Sequence, residues 1–211
     1  MSTLRELLST YGQDELLEQF IRISPRTYDE FIDTLYADLD YIVGLIEADA
    51  KDFESAGEDE LNREIVRLLQ ARFHQASHDH DEGGHVDVRV VSRSGKFSWL
   101  AEAKLDKGAA YLQKGVHQLA DRYARGTPGH HCGGFLIYVQ KSRCAERFKN
   151  WRDGFSQQTA DFKNLSIDDC PQRTEYSFYS NFILPRIGEG PPPYRIRHMA
   201  VSAFREANTH P

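Results

Sequence analysis

Over roughly the first 55 residues, apolar side chains recur at spacings of three and four: Leu4, Leu7 and Leu8, then Leu16, Leu17 and Phe20, then Phe31, Leu35, Leu39 and Ile42. That period belongs to one face of an α-helix, so this stretch is expected to be helical. Ser24 and Pro25 suit an N-cap and a first helical position, and Thr27 with Glu30 forms an overlapping capping box. A helix start is therefore expected near residues 25 to 28. A second box, Ser55-Ala56-Gly57-Glu58, opens a further helix with Leu61, Ile65, Leu68 and Leu69 inward, running to about Phe73.

Past that helix the period falls to two. Val86, Val88 and Val90 line one face against Asp87, Arg89 and Val91, and an aromatic segment runs from Phe97 to Lys104. Two strands joined by a hairpin are expected. A helix is read from about Ala109 to Arg125, ending at Gly126 and Pro128. Gly133-Gly134 is read as a turn leading into the apolar run Phe135 to Val139, a strand buried on both faces. A basic helix over about 143 to 153, an aromatic strand near Tyr176 to Phe182, a Gly-Glu-Gly-Pro-Pro-Pro loop at 188 to 193 and a last segment from Tyr194 to Val201 complete the reading.

The pattern divides the chain into a helical N-terminal module, 1-54, and an α/β domain, 55-211. Charge follows the same division. Residues 1 to 57 carry 4 Lys/Arg against 13 Asp/Glu, a net −9, whereas the rest carries a net +3 within an overall charge of −6. Residues 102 to 152 hold 10 basic and 4 acidic side chains, a concentration suited to a phosphate backbone, or to a solvated helix face if nothing binds there. Lys141, Arg143, Arg147 and Lys149, with Arg152, are its core. No apolar stretch approaches the ~18 residues of a membrane span, and no signal peptide is read at the amino end, so a cytoplasmic protein is expected. Cys132, Cys144 and Cys170 are an odd count without CxxC spacing, which points to reduced thiols rather than a disulfide framework.

The candidate chemistry sits on the hairpin. Centring its turn on Ser94-Gly95 sets Val91 against Ser98, Arg89 against Leu100, and Asp87 against Glu102. Lys104 then shares a face with Glu102. Opposed carboxylates repel by up to ~1 kcal/mol, more when buried, so a cation between them is expected, and a hard divalent ion with oxygen ligands is the natural one. The ordinary alternative is an exposed hairpin with a surface ion pair worth about 0 to 1 kcal/mol.

Asp87 followed by Glu102-Ala103-Lys104 resembles the motif of the PD-(D/E)XK nuclease superfamily, whose members include restriction endonucleases and repair nucleases. Val86 stands where the family name has proline. The resemblance covers about residues 56 to 140 and implies a restriction-endonuclease-like core of helix, mixed sheet, helix and strand. It implies a metal site of Asp87, Glu102 and the Ala103 carbonyl holding Mg²⁺, with Mn²⁺ substituting, and Lys104 as a catalytic group. An acidic residue from the preceding helix is also implied, for which Glu64 is preferred over Glu60, with ordinary helix solubility as the alternative for both. A catalytic Gln on the following helix would be Gln118, or else Gln113.

The activity so implied is metal-dependent phosphodiester hydrolysis, on DNA more than RNA and endonucleolytic more than exonucleolytic, in restriction, defence or repair. Arg89, Arg93 and Lys96 join the basic stretch as candidate backbone contacts, with Lys114 and Arg122 behind them. The acidic front module is a candidate surface for a homodimer or a protein partner. A catalytically inactive binding module on the same fold is the alternative. A third reading takes His74, His78, His80, His85, Asp79 and Asp81 as a transition-metal cluster, but without HExxH or a Cys pair these more simply form a loop contacting phosphate.

Overall fold

A computed structural model describes residues 3–10, 12–81, 85–158, 160–184 and 192–205, with backbone alone at 14 and 79–81. The longest helix starts where the sequence places it. Thr27 accepts a hydrogen bond from the Glu30 N–H at 3.1 Å and caps α3, Tyr28–Ala48. Before it run α1, Leu4–Thr10, and α2, Asp14–Ile23; after it come a single turn, α4, Ala50–Phe53, and α5, Glu58–Ala71. The capping box expected at Ser55 is not formed: Gly57 is the N-cap, without a side-chain cap bond, which frees Glu58 for other partners.

The sheet strands are β1, Gln75–Asp81; β2, His85–Val91; β3, Ser98–Leu105; β4, Cys132–Val139; β5, Lys163–Asp169; β6, Ser177–Ile183; and β7, Tyr194–Ser202. Helix α6, Ala109–Gln118, continues into a π-helical turn at Leu119–Tyr123, and α7 spans Cys144–Phe155. The class is α/β, with one mixed sheet ordered β1-β2-β3-β4-β7-β6-β5. β3, β4 and β7 run parallel, and the other neighbours are antiparallel. Two of these strands escaped the sequence reading. The histidine-rich segment expected as a loop is edge strand β1, and β5, mostly exposed, forms the opposite edge, where apolar alternation is weakest.

Each face of the sheet carries its own apolar layer. On one, Leu35, Leu39 and Ile42 of α3 and Leu61, Ile65 and Leu69 of α5 pack on Val88, Val90, Trp99, Ala101 and Leu136. On the other, Leu112 and Val116 of α6 and Phe148 and Trp151 of α7 pack on Leu100, Phe135, Ile137 and Phe178. The segment read as a separate module thus places its longest helix in the same layer as α5. Polar bonds reinforce that seam: the Tyr28 hydroxyl donates to Ser98 O and accepts from Cys132 N, each at 3.0 Å. Fully buried Arg197 on β7 pairs with Asp40 of α3 at 2.8 Å.

Gly133 and Gly134 are a correction. They lie inside β4, not in a turn before it. A Cβ on Gly134 would fall 2.1 Å from Trp99, and one on Gly133 would fall 2.3 Å from the Tyr194 hydroxyl. Two large rings therefore rest directly on the backbone from opposite faces. Among the described residues no helix is long and apolar enough to cross a membrane.

Candidate active site

The hairpin register follows the expected one from Val91 with Ser98, through Val90 with Trp99 and Arg89 with Leu100, to Val88 with Ala101, but the expected Asp87–Glu102 rung is not among the paired ones. The turn closes through Ser92 N–H to Phe97 O at 3.0 Å and Gly95 N–H to Ser92 O at 2.9 Å, with Gly95 at φ 71°. Hydrogen-bonded pairs alternate along an antiparallel ladder, so 92/97, 90/99 and 88/101 are the bonded ones and 86/103 would be next. Instead the Ala103 N–H donates to Asp87 Oδ2 at 2.8 Å. The two strands part after Val88, and the Asp87 carboxylate fills the opening. On the same alternation the Ala103 carbonyl is directed toward that opening. The alternation expected through Val86 fails here too, since Val86 packs in the α6–α7 layer, away from Val88 and Val90.

Glu102 and Lys104 project from β3 beside Asp87. Glu102 is fully buried. Its Oε1 lies 2.5 Å from Lys104 Nζ, which is 3.7 Å from Asp87 Oδ2. Its Oε2 has no hydrogen-bond partner among the described residues. A buried polar atom left this way costs about 1–3 kcal/mol or more. Burial, reinforced by the Asp87 charge, pushes the Glu102 carboxyl up to about 7, and burial also raises Asp87. Burial opposes the charge on Lys104, but the Glu102 and Asp87 carboxylates outweigh it and raise the ammonium overall. Three groups of this polarity in one buried patch are the pattern of a functional site more often than of a core.

Helix α6 packs tightly on this patch. At Gly115 a Cβ would sit 2.7 Å from Phe135 Cε2 and 3.0 Å from Lys104 Cγ, so the glycine lets the helix close over the lysine. One turn earlier the Tyr111 hydroxyl donates to Glu58 Oε1 at 2.9 Å, and the Leu105 N–H donates to the same oxygen at 2.9 Å. Gln140 Nε2 holds the turn before α5 through Phe53 O at 2.7 Å and Ala56 O at 2.8 Å. Glu58 is thereby fixed at the end of β3, where its charge further raises Glu102.

The acidic residue that α5 contributes to this region is thus Glu58, not Glu64. Glu64 faces outward to Arg67, 2.5 Å away, whose hydrogen bond lowers its pKa. Glu60 is exposed on the helix surface. Of the α6 glutamines, Gln118 donates to the Tyr123 hydroxyl at 3.2 Å and Gln113 to Asp161 at 3.0 Å; neither meets the carboxylates. The signal that misled was helical spacing: Glu64 has the right period, but Glu58, at the helix start, lies nearest the strand end.

The basic candidates divide. Arg147 pairs with Asp106 at 3.0 Å and Lys141 reaches Asp106 O at 3.3 Å, which puts both one residue beyond Leu105 and beside the patch. Arg143 pairs with Glu146 at 3.4 Å, Lys149 with Asp153 at 2.5 Å and Arg152 with Asp169 at 2.6 Å. Arg93 and Lys96 are exposed at the hairpin tip, some eight residues from Lys104, roughly 20 Å or more at strand rise. Arg89 lies on β2, half-buried and engaged with neighbours. Exposed Lys114 and Arg122 border a cavity of about 610 Å³ together with His117, Gln118 and Asp121.

Among the described residues the histidines do not gather into a transition-metal site. His74 is buried against Asp38 at 2.7 Å, alongside Arg22 and Arg72, and His78 lies 3.9 Å from Asp59. The side chains of Asp79, His80 and Asp81, and residues 82–84 altogether, lie outside the described residues. Among the described residues no three His, Cys, Asp or Glu side chains converge as a ready cation site. Comparison of the chain with protein families, with curated proteins and with solved structures finds no match.

Proposed function

We propose that the chain is a metal-dependent nuclease acting on DNA, with Asp87, Glu102 and the Ala103 carbonyl as its cation-binding groups. The observation that carries this reading is the orphaned, buried Glu102 Oε2 beside the Asp87 carboxylate, in an opening between two parted strands. An all-oxygen donor set of this kind fits Mg²⁺ or Mn²⁺, which need only one or two protein carboxylates when phosphate and water complete the shell. Charge agrees: Asp87 and Glu102 both face the partly buried ammonium of Lys104, with Glu58 adding a further negative charge nearby. The order of helix α5, hairpin β2–β3, helix α6 and strand β4 is also the one implied by the PD-(D/E)XK resemblance.

When bound, the divalent ion would supply Lewis-acid activation of water and neutralise charge on phosphate. The chain's own groups do the rest. Asp87 is held by the Ala103 N–H through Oδ2, which fixes its carboxylate at the opening. Lys104 carries a full positive charge at the carboxylate pair and can orient the attacking water and offset charge building on phosphorus. Arg147 and Lys141 border the strand end, placed to meet backbone phosphates on one side of the reacting ester.

The test is cleavage of plasmid, single-stranded DNA and RNA with Mg²⁺ or Mn²⁺. Wild type is expected to cleave, and Asp87→Ala and Lys104→Ala each to lose at least about 100-fold, in the range of removing one preorganised charged group. Nicking that survives both substitutions overturns the site. Binding of nucleic acid without cleavage by wild type favours the inactive module instead.

A further inference from the structure

The Lys104 ammonium lies 2.5 Å from Glu102 Oε1 and 3.7 Å from Asp87 Oδ2. It is therefore positioned as the counter-ion of both carboxylates at once. We propose that Lys104 is an internal stand-in for the divalent cation, a latch that must release Glu102 before Mg²⁺ or Mn²⁺ can be held there. This inference rests on the nuclease reading and concerns how its site is kept closed.

Two features support it. A lone lysine satisfies only part of the pair, since Glu102 Oε2 remains without a partner. The position is enforced by packing: Gly115 brings α6 down onto the lysine stem, where a Cβ would meet Lys104 Cγ at 3.0 Å. Two like-signed carboxylates in a buried patch require a positive neighbour for the chain to fold, and in the absence of a divalent ion only a side chain can provide it. A cation entering later must then break a charge-assisted hydrogen bond, and its apparent affinity falls by that much. The released ammonium becomes available to phosphate, so one residue serves folding before the cation arrives and chemistry afterwards.

The experiment uses the full chain and Mn²⁺ alone, without nucleic acid. Binding is measured by isothermal titration at pH 8.5, where Glu102 is ionised, for wild type, Lys104→Met and Lys104→Gln, with Glu102→Gln as the control that should abolish uptake. Thermal unfolding is followed with and without saturating Mn²⁺. Lys104→Met is expected to bind Mn²⁺ about 10-fold more tightly than wild type, the size of one charge-assisted hydrogen bond, and to gain more thermal stability from the ion. Lys104→Gln, which keeps the bulk and a neutral donor, provides the same comparison if the methionine variant does not fold. Equal or weaker binding by folded Lys104 variants, with wild type binding normally, overturns the latch and leaves the nuclease reading standing. No uptake by wild type or by either variant overturns both.

Discussion

Glu102 illustrates how a single side chain can be costly to the fold and necessary to the site. Its carboxyl, raised by burial from the ordinary 4.5 to about 7, takes a proton more readily in the folded chain than in the unfolded one. A raised acid contributes stability fully below its unfolded pKa and loses it as pH climbs through the folded value. In metal-free protein the difference in stability between wild type and Glu102→Gln is therefore expected to shift against wild type from about pH 4.5 to about pH 7, and to flatten above. Denaturant titrations at several pH values check this, and a pH-independent difference counts against it. Asp87, Glu102, Lys104 and the pairing between their strands could be read from the sequence because period-two alternation and a Ser-Gly turn define register. Glu58 could not, because a Gly57–Glu58 helix start looks like ordinary capping until the Tyr111 hydroxyl is seen to reach it. Glu58→Gln is expected to weaken Mn²⁺ uptake or cleavage about 10-fold or more, as loss of a supporting carboxylate does, whereas Glu64→Gln should change neither by more than about 2-fold, being an exposed helix pair.

Helix α6 shows what an element adds. Its sequence advertises Gln113 and Gln118 as polar groups for a site, yet the face turned to β3 carries Tyr111 and Gly115. Glycine costs a helix about 1 kcal/mol relative to alanine, so Gly115 is retained against propensity because Phe135 and Lys104 leave no room. Gly115→Ala is expected to destabilise the protein by about 1–3 kcal/mol through overpacking and to lower cleavage by displacing Lys104. Thermal unfolding and kinetics on the one variant check both, and a more stable, fully active protein would contradict the packing. Strand β7 gives a parallel case. Arg197 has no exposure and pairs with Asp40 across the α3 seam, and Arg197→Met should cost about 3–5 kcal/mol by leaving the carboxylate without its partner. Edge strands β1 and β5 were hard to read for one physical reason: they bury too few side chains to impose a period-two apolar pattern.

For the molecule as a whole, the composition break near residue 57 marks a change of charge more than a change of packing. α1 has no buried residue, whereas α3 supplies much of one apolar layer. Removing residues 1–12 is expected to leave a folded protein with a Tm lowered by only a few degrees, on the ~4 °C per kcal/mol scale of a domain this size. Removing residues 1–48 should yield insoluble chain, since the sheet face beneath α3 would be bare. Circular dichroism and solubility of the two truncations decide between a seam and a true boundary.

The placement of the two tryptophans has a practical consequence. The chain holds just two tryptophans, Trp99 in the α3–α5 layer and Trp151 in the α6–α7 layer, both almost wholly shielded. Each indole thus emits from its own side of the sheet. Trp99→Phe would isolate the fluorescence of Trp151, which packs on Phe135, the β4 neighbour of Glu102, on the face that α6 covers, giving a built-in optical reporter of events at the carboxylates that needs no label.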